Sequence, residues 1–84
     1  MKSPYVIFGK LHREILPFLN EEQKDVMNKL AYDFSFTAPE NFAKNFGEYS
    51  RYLSRYITKD SEVFPEVEKV WNKYIEEYEE STKE

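Results

Sequence analysis

The chemistry available to this chain is narrow. It holds a single imidazole, His12, and no cysteine. The missing thiol removes a thiolate nucleophile, thiolate metal sites and any disulfide framework. The lone histidine removes every ligand set that needs two. His12 by itself offers a general base or a pH-sensitive group. General-base work requires an orienting partner and a nucleophile. Glu14 lies two residues away, on another helix face, so the plain reading of His12 is a surface or half-buried side chain. Carboxylates pair at helical spacing, Glu62 with Glu66 and Glu76 with Glu80. An acid–base pair needs unlike environments that separate the two pKa values. These pairs sit on a polar face opposite Trp71, where both stay ionised. With Gly9 and Gly47 isolated, no phosphate-cradling loop exists, and neither a calcium loop nor a nucleophile elbow is present. The sequence therefore reads as non-enzymatic, with no catalytic residue, cofactor or metal.

One stretch stands out for binding. Residues 42–59 carry Lys44, Arg51, Arg55 and Lys59 against the single acid Glu48, a local charge of +3. Phe42, Phe46, Tyr49, Tyr52 and Tyr56 are interleaved with them. Helical through 59, this segment would align Arg51, Arg55 and Lys59 in steps of four, drifting about 40° per step. Tyr52 lies at the stripe's edge. Arg51, Tyr52, Arg55 and Lys59 are therefore the candidate interaction surface. Glu48 lies three residues before Arg51, so an intrahelical pair is expected to blunt the charge. Two partners suit the stripe. An acidic protein surface is preferred. A nucleic acid, held by stacking beside basic groups, is the alternative. Trp71, Tyr74 and Tyr78 could form a ligand box, but they coincide with an apolar helix face, and Trp71 is expected at the centre of the core.

The elements that must position these residues follow from punctuation and periodicity. Four prolines, Pro4, Pro17, Pro39 and Pro65, divide 84 residues into four helical pieces. Ser3 and Pro4 open the first, with Phe8, Leu11 and Ile15 on one face, and Pro17 stops it. Asn20 and Gln23 form a capping box for a helix over 20–34, with Glu21 and Glu22 favourable to its dipole. Val26, Met27, Leu30, Ala31 and Phe34 supply its buried side. Pro39–Phe42 is suited to one helical turn. Asn45 and Glu48 repeat the capping-box spacing and predict the start of the third helix. In the last piece Val67, Val70, Trp71, Tyr74, Ile75 and Tyr78 span an arc of about 140°, the width of a helix laid on a core. Period-2 alternation is absent, so strands are not expected.

Length and charge bound the rest. Ten kilodaltons allow one domain. Of the net charge of −4, all belongs to residues 76–84; the remainder balances eleven acids with eleven bases. This neutrality withholds the footprint of a general nucleic-acid binder. Residues 79–84 form an acidic tail that opposes the dipole of the last helix, so fraying is expected from Glu79. No run is apolar enough for a membrane span, and no signal-peptide h-region is visible. A cytoplasmic protein, a monomer or weak homodimer, is the expectation.

Three groups of residues carry a family likeness: Ala31-Tyr32-Asp33-Phe34-Ser35-Phe36, then Glu48-Tyr49-Ser50-Arg51-Tyr52-Leu53, then Trp71 with Tyr74. In order and spacing they resemble the YozE-type, sterile-alpha-motif-like (SAM-like) family of small proteins from low-GC Gram-positive bacteria. Ser3-Pro4-Tyr5 is similar to the family's opening. The likeness covers residues 3–78. It departs in a longer stretch from Lys10 to Gln23 and in the acidic end. It implies an all-α, compact four- to five-helix SAM-like bundle, and it carries over no catalytic or binding residue. Together with the absent chemistry, it makes a protein–protein interaction module the expected function.

Overall fold

A computed structural model of the chain describes residues 3–82. Four α-helices make up the fold: α1 (Pro4–Ile15), α2 (Glu21–Phe34), α3 (Phe42–Tyr56) and α4 (Phe64–Thr82). Short 3-10 turns at Leu16–Phe18 and Pro39–Asn41 lead out of α1 and into α3. No strand occurs among the described residues. The radius of gyration is 12.5 Å, close to the value of about 12 Å for a single packed domain of this length.

Local signals account for two helix starts as expected. The Ser3 hydroxyl accepts from the Tyr5 N–H at 3.2 Å, and Pro4 occupies the first helical position, where its missing donor is harmless. Asn20 accepts from the Gln23 N–H at 2.8 Å, while the Gln23 side chain accepts from the Asn20 N–H at 3.0 Å. Both halves of the capping box are thus closed. Val26 is only half-buried, so the inner line of α2 runs through Met27 and Phe34.

The start of α3 corrects the sequence reading. It begins at Phe42, ahead of the Asn45–Glu48 spacing. Asn45 instead donates to the Thr37 hydroxyl at 2.6 Å, and that hydroxyl donates to the Asp33 carbonyl at 3.0 Å. Burial decides the matter: Phe42 is 1% exposed and stacks on Phe34 at 4.8 Å. Tyr5 meets Phe42 edge-on at 4.7 Å. A ring sunk this far draws its backbone into the bundle, so the helix starts under it.

The end of α4 is also longer than expected. The helix continues through residues 79–82 despite its acidic last turns. Tyr78 packs on Phe46 at 4.6 Å between ring centroids, and the Ser81 hydroxyl donates to the Tyr78 carbonyl at 2.7 Å. These contacts anchor the turn that the dipole disfavours. Residues 83 and 84 of the expected tail lie outside the described residues.

An aromatic stack from three helices forms the core. Phe8 of α1 lies parallel to Phe34 of α2 at 4.0 Å, and meets Phe46 and Tyr49 of α3 edge-on at 5.5 and 5.1 Å. Ile7, Leu11, Ile15 and Met27 are fully enclosed. Trp71 is not the centre. It is half-buried at the border of α3 and α4, parallel to Tyr49 at 6.1 Å. Helix α4 turns Val67 and Tyr74 inward instead, each 4% exposed.

Candidate interaction surface

Helix α3 buries Phe42, Phe46, Tyr49 and Leu53. At about 100° per residue, Lys44, Arg51 and Arg55 then fall on the opposite, outer line. All three are exposed. The Arg55 guanidinium lies 5.6 Å from the centroid of the Tyr52 ring, which is half-buried against the core. This cation–π contact lays Arg55 along its own helix. Among the described residues the expected Glu48–Arg51 ion pair is not formed, so the charge of Arg51 is not cancelled from within.

Lys59 does not join the stripe. Helix α3 ends at Tyr56, and Ile57 is extended, with φ −124° and ψ 97°. Ile57 is 5% exposed, and its N–H donates to the Leu53 carbonyl at 2.8 Å. Seating this side chain in the core bends the backbone out of the helix, and Lys59 falls in the turn that follows. The structure therefore brings Arg51, Tyr52 and Arg55 together on one helix and leaves Lys59 beyond its end.

Beside this face an open cleft of about 150 Å³ separates α3 from α4. Leu53, Ile57, Phe64, Val67 and Trp71 form its apolar walls, and Ser50, Ser54, Glu68 and Asn72 its polar rim. Ser50 and Ser54 lie about 100° round α3 from Arg51 and Arg55, and the contact with Tyr52 draws Arg55 to the flank away from the cleft. Sequence periodicity marked Val67 and Trp71 as core and gave no sign of the opening.

His12 has partners that the sequence hid. The Tyr49 hydroxyl lies 2.8 Å from His12 Nδ1, and His12 Nε2 lies 2.7 Å from Asn28 Oδ1. A carbonyl oxygen only accepts, so Nε2 carries the proton and Nδ1 accepts from the phenol. Burial lowers the His12 pKa below its ordinary 6.5, against a smaller opposing effect of the bond to Asn28. Burial likewise pushes the Tyr49 phenol well above its ordinary 10. Hydroxyl, imidazole and amide in series have the outline of a nucleophile, base and orienter. Yet Tyr49 is 1% exposed and its phenol is held protonated. No substrate reaches that oxygen, and the trio ties α1, α2 and α3 together. A second tie joins α1 to α4, where the Tyr74 hydroxyl donates to the Glu14 carboxylate.

Two further features complete the surface. Tyr32 and Phe36 are 67% and 74% exposed and touch edge-on at 5.0 Å, a small aromatic patch at the end of α2. Among the described residues no three His, Asp or Glu side chains converge on a possible metal position, and no helix is long and apolar enough to cross a membrane. No protein-family model matches the chain, and comparison with curated proteins and with solved structures likewise returns no match.

Proposed function

We propose that this chain is a non-enzymatic protein-interaction module that docks an acidic partner on the outer face of α3. One observation carries the reading: Arg51 and Arg55 stand exposed one turn apart, and among the described residues neither is paired with a carboxylate. Exposed, unneutralised cations on a rigid helix steer an anionic surface and fix its orientation. The interleaved aromatics support a protein over a nucleic acid. Phe42, Phe46 and Tyr49 are 5% exposed or less, and Arg55 lies over the Tyr52 ring. This leaves little platform on which bases could stack. In this reading the bundle is a YozE-type, SAM-like domain, cytoplasmic, and a monomer or weak homodimer. The family motifs at residues 31–36, 48–53, 71 and 74 support that placement.

The test uses the full chain as bait in its native cytoplasm, with the captured partner identified and then titrated in purified form. Arg51→Glu with Arg55→Glu should abolish binding while shifting stability by only about 0.5 kcal/mol per site, since both positions are exposed. Unchanged titration by the double variant would refute the reading. A gel shift with single-stranded DNA or RNA that weakens steeply with salt would transfer the face to nucleic acid.

A further inference from the structure

We infer that the outer face of α2 is the contact of a weak, two-fold symmetric dimer, in which a second copy of this chain lays its own α2 antiparallel across it with Tyr32 near the axis. This gives the homodimer of the reading above an interface. It shares no residue with the basic face of α3, so either can fail alone.

Display is the first argument. Tyr32 and Phe36 are the most exposed large apolar side chains among the described residues. The turn that carries Phe36 is nevertheless firmly held. The Phe36 N–H donates to the Asp33 carbonyl at 3.2 Å, the Thr37 N–H to the Phe34 carbonyl at 3.0 Å and the Ser35 hydroxyl to the Tyr32 carbonyl at 2.6 Å. From α1 the Tyr5 hydroxyl donates to the Thr37 carbonyl at 2.7 Å. A ring already fixed in water loses little freedom on docking, so most of its burial favours association. At 67% and 74% exposure the two rings offer roughly 200–350 Å² per copy. Each partner in a standard interface gives about 800 Å². Polar side chains around the rings must supply the rest, and the dimer is weak.

Charge and shape select a second copy. Asp25, Asn28, Lys29 and Tyr32 lie within an arc of about 100° on the side of α2 opposite Met27 and Phe34, and all four are exposed. With Asp33 they line an open hollow along the helix. Among the described residues Asp25, Lys29 and Asp33 form no ion pair, although Lys29 and Asp33 are one turn apart. A partner of one sign would set a like charge against Lys29 or against Asp33. A second copy answers both. In an antiparallel pair with Tyr32 against Tyr32, Phe36 of each copy falls opposite Asn28 of the other, over the hollow. Lys29 then lies two residues, about 3 Å along the axis, from Asp33 of the other copy. The two-fold axis makes this ion pair twice.

Sedimentation equilibrium of the full chain from about 10 µM to 1 mM, the range of a weak interface, reads the association. Phe36→Ser removes the more exposed ring. Lys29→Glu makes the face acidic, and Asp33→Lys makes it basic. Arg51→Glu with Arg55→Glu is the control outside the face. All these positions are exposed, so the fold should persist, as thermal melts will check. The two single charge variants are also mixed in equal amounts, where each acid of one again faces a base of the other.

The unmodified chain should pass from monomer to dimer across this range and stop at two, because a two-fold contact closes on itself. Phe36→Ser and each charge variant alone should weaken the dimer at least about tenfold. The mixture should recover it, and the α3 double variant should leave it unchanged. A monomer throughout the range would overturn the dimer and leave the face to a different protein. Assembly beyond two copies, a mixture that does not recover, or indifference to Phe36→Ser would each overturn the two-fold α2 contact. Loss of the dimer in the α3 double variant would move the contact to α3 and overturn it as well.

Discussion

Tyr49 and His12 stand 37 residues apart in sequence, and the phenol of one donates to the imidazole of the other at 2.8 Å. The bond holds His12 as a neutral acceptor. Protonating Nδ1 would set two donors against each other, unless the hydroxyl turns. Burial of the ring acts in the same direction.

The first prediction concerns acid. A histidine whose pKa is lowered by folding binds more protons when unfolded, so stability rises with pH across the interval between the two values. Here the unfolded value is near 6.5 and the folded one lies below it. The His12 contribution should be complete above pH 6.5 and should diminish as the pH falls toward the folded value. Urea denaturation between pH 7.5 and 5 should show this decline, and His12→Asn should flatten it. An equal decline in the variant would assign the effect to other groups.

Tyr49→Phe tests the bond itself. It removes one oxygen, keeps the ring, and leaves His12 Nδ1 without its donor in a half-buried site. The expected loss is about 1–2 kcal/mol. In a double-mutant cycle with His12→Asn the two changes should be clearly non-additive. Simple additivity in denaturant unfolding would show that the contact contributes nothing of its own.

Position within the aromatic stack ranks two truncations. Phe34 is 2% exposed and touches the rings of Tyr5, Phe8, Phe42 and Phe46. Phe34→Ala should cost about 3–5 kcal/mol, near the total stability of a small domain. Trp71 borders the cleft, so Trp71→Ala removes fewer enclosed contacts and should cost about 2 kcal/mol. Chemical denaturation gives both figures. The reverse order would return Trp71 to the centre of the core.

Alkali should act on Tyr74 as well as on Tyr49, since both phenols are raised above their ordinary 10. The bond to Glu14, then burial and the charges of Glu14 and Glu77, push the Tyr74 phenol up to about 12. The folded chain therefore keeps a proton that the unfolded chain loses above pH 10, and stability falls as pH rises between 10 and 12. Tyr74→Phe should reduce this loss, measured as the melting temperature from pH 9 to 11.5. An unchanged alkaline slope would show that the Tyr74–Glu14 contact is not the cause.

What the sequence determined by itself is what acts within a few residues. Ser3-Pro4 and the Asn20–Gln23 box start their helices because donor and acceptor lie within one turn of each other. The four-residue step from Arg51 to Arg55 puts both on one face of any helix that holds them. The tertiary structure decided whatever depends on a distant partner. The same box spacing at Asn45 and Glu48 starts no helix, because Phe42 finds Phe34 and Tyr5 and Asn45 finds Thr37. Ile57 seats in the core and ends α3 before Lys59. Periodicity gave α4 an apolar arc about 140° wide, yet a helix meets its neighbours over only part of such an arc. Packing turned Val67 and Tyr74 inward and left Trp71 at the cleft. His12 with Tyr49, and Glu14 with Tyr74, are 37 and 60 residues apart. No local rule links such pairs, because their contact exists only once the hydrophobic faces have closed and brought the helices to a common register.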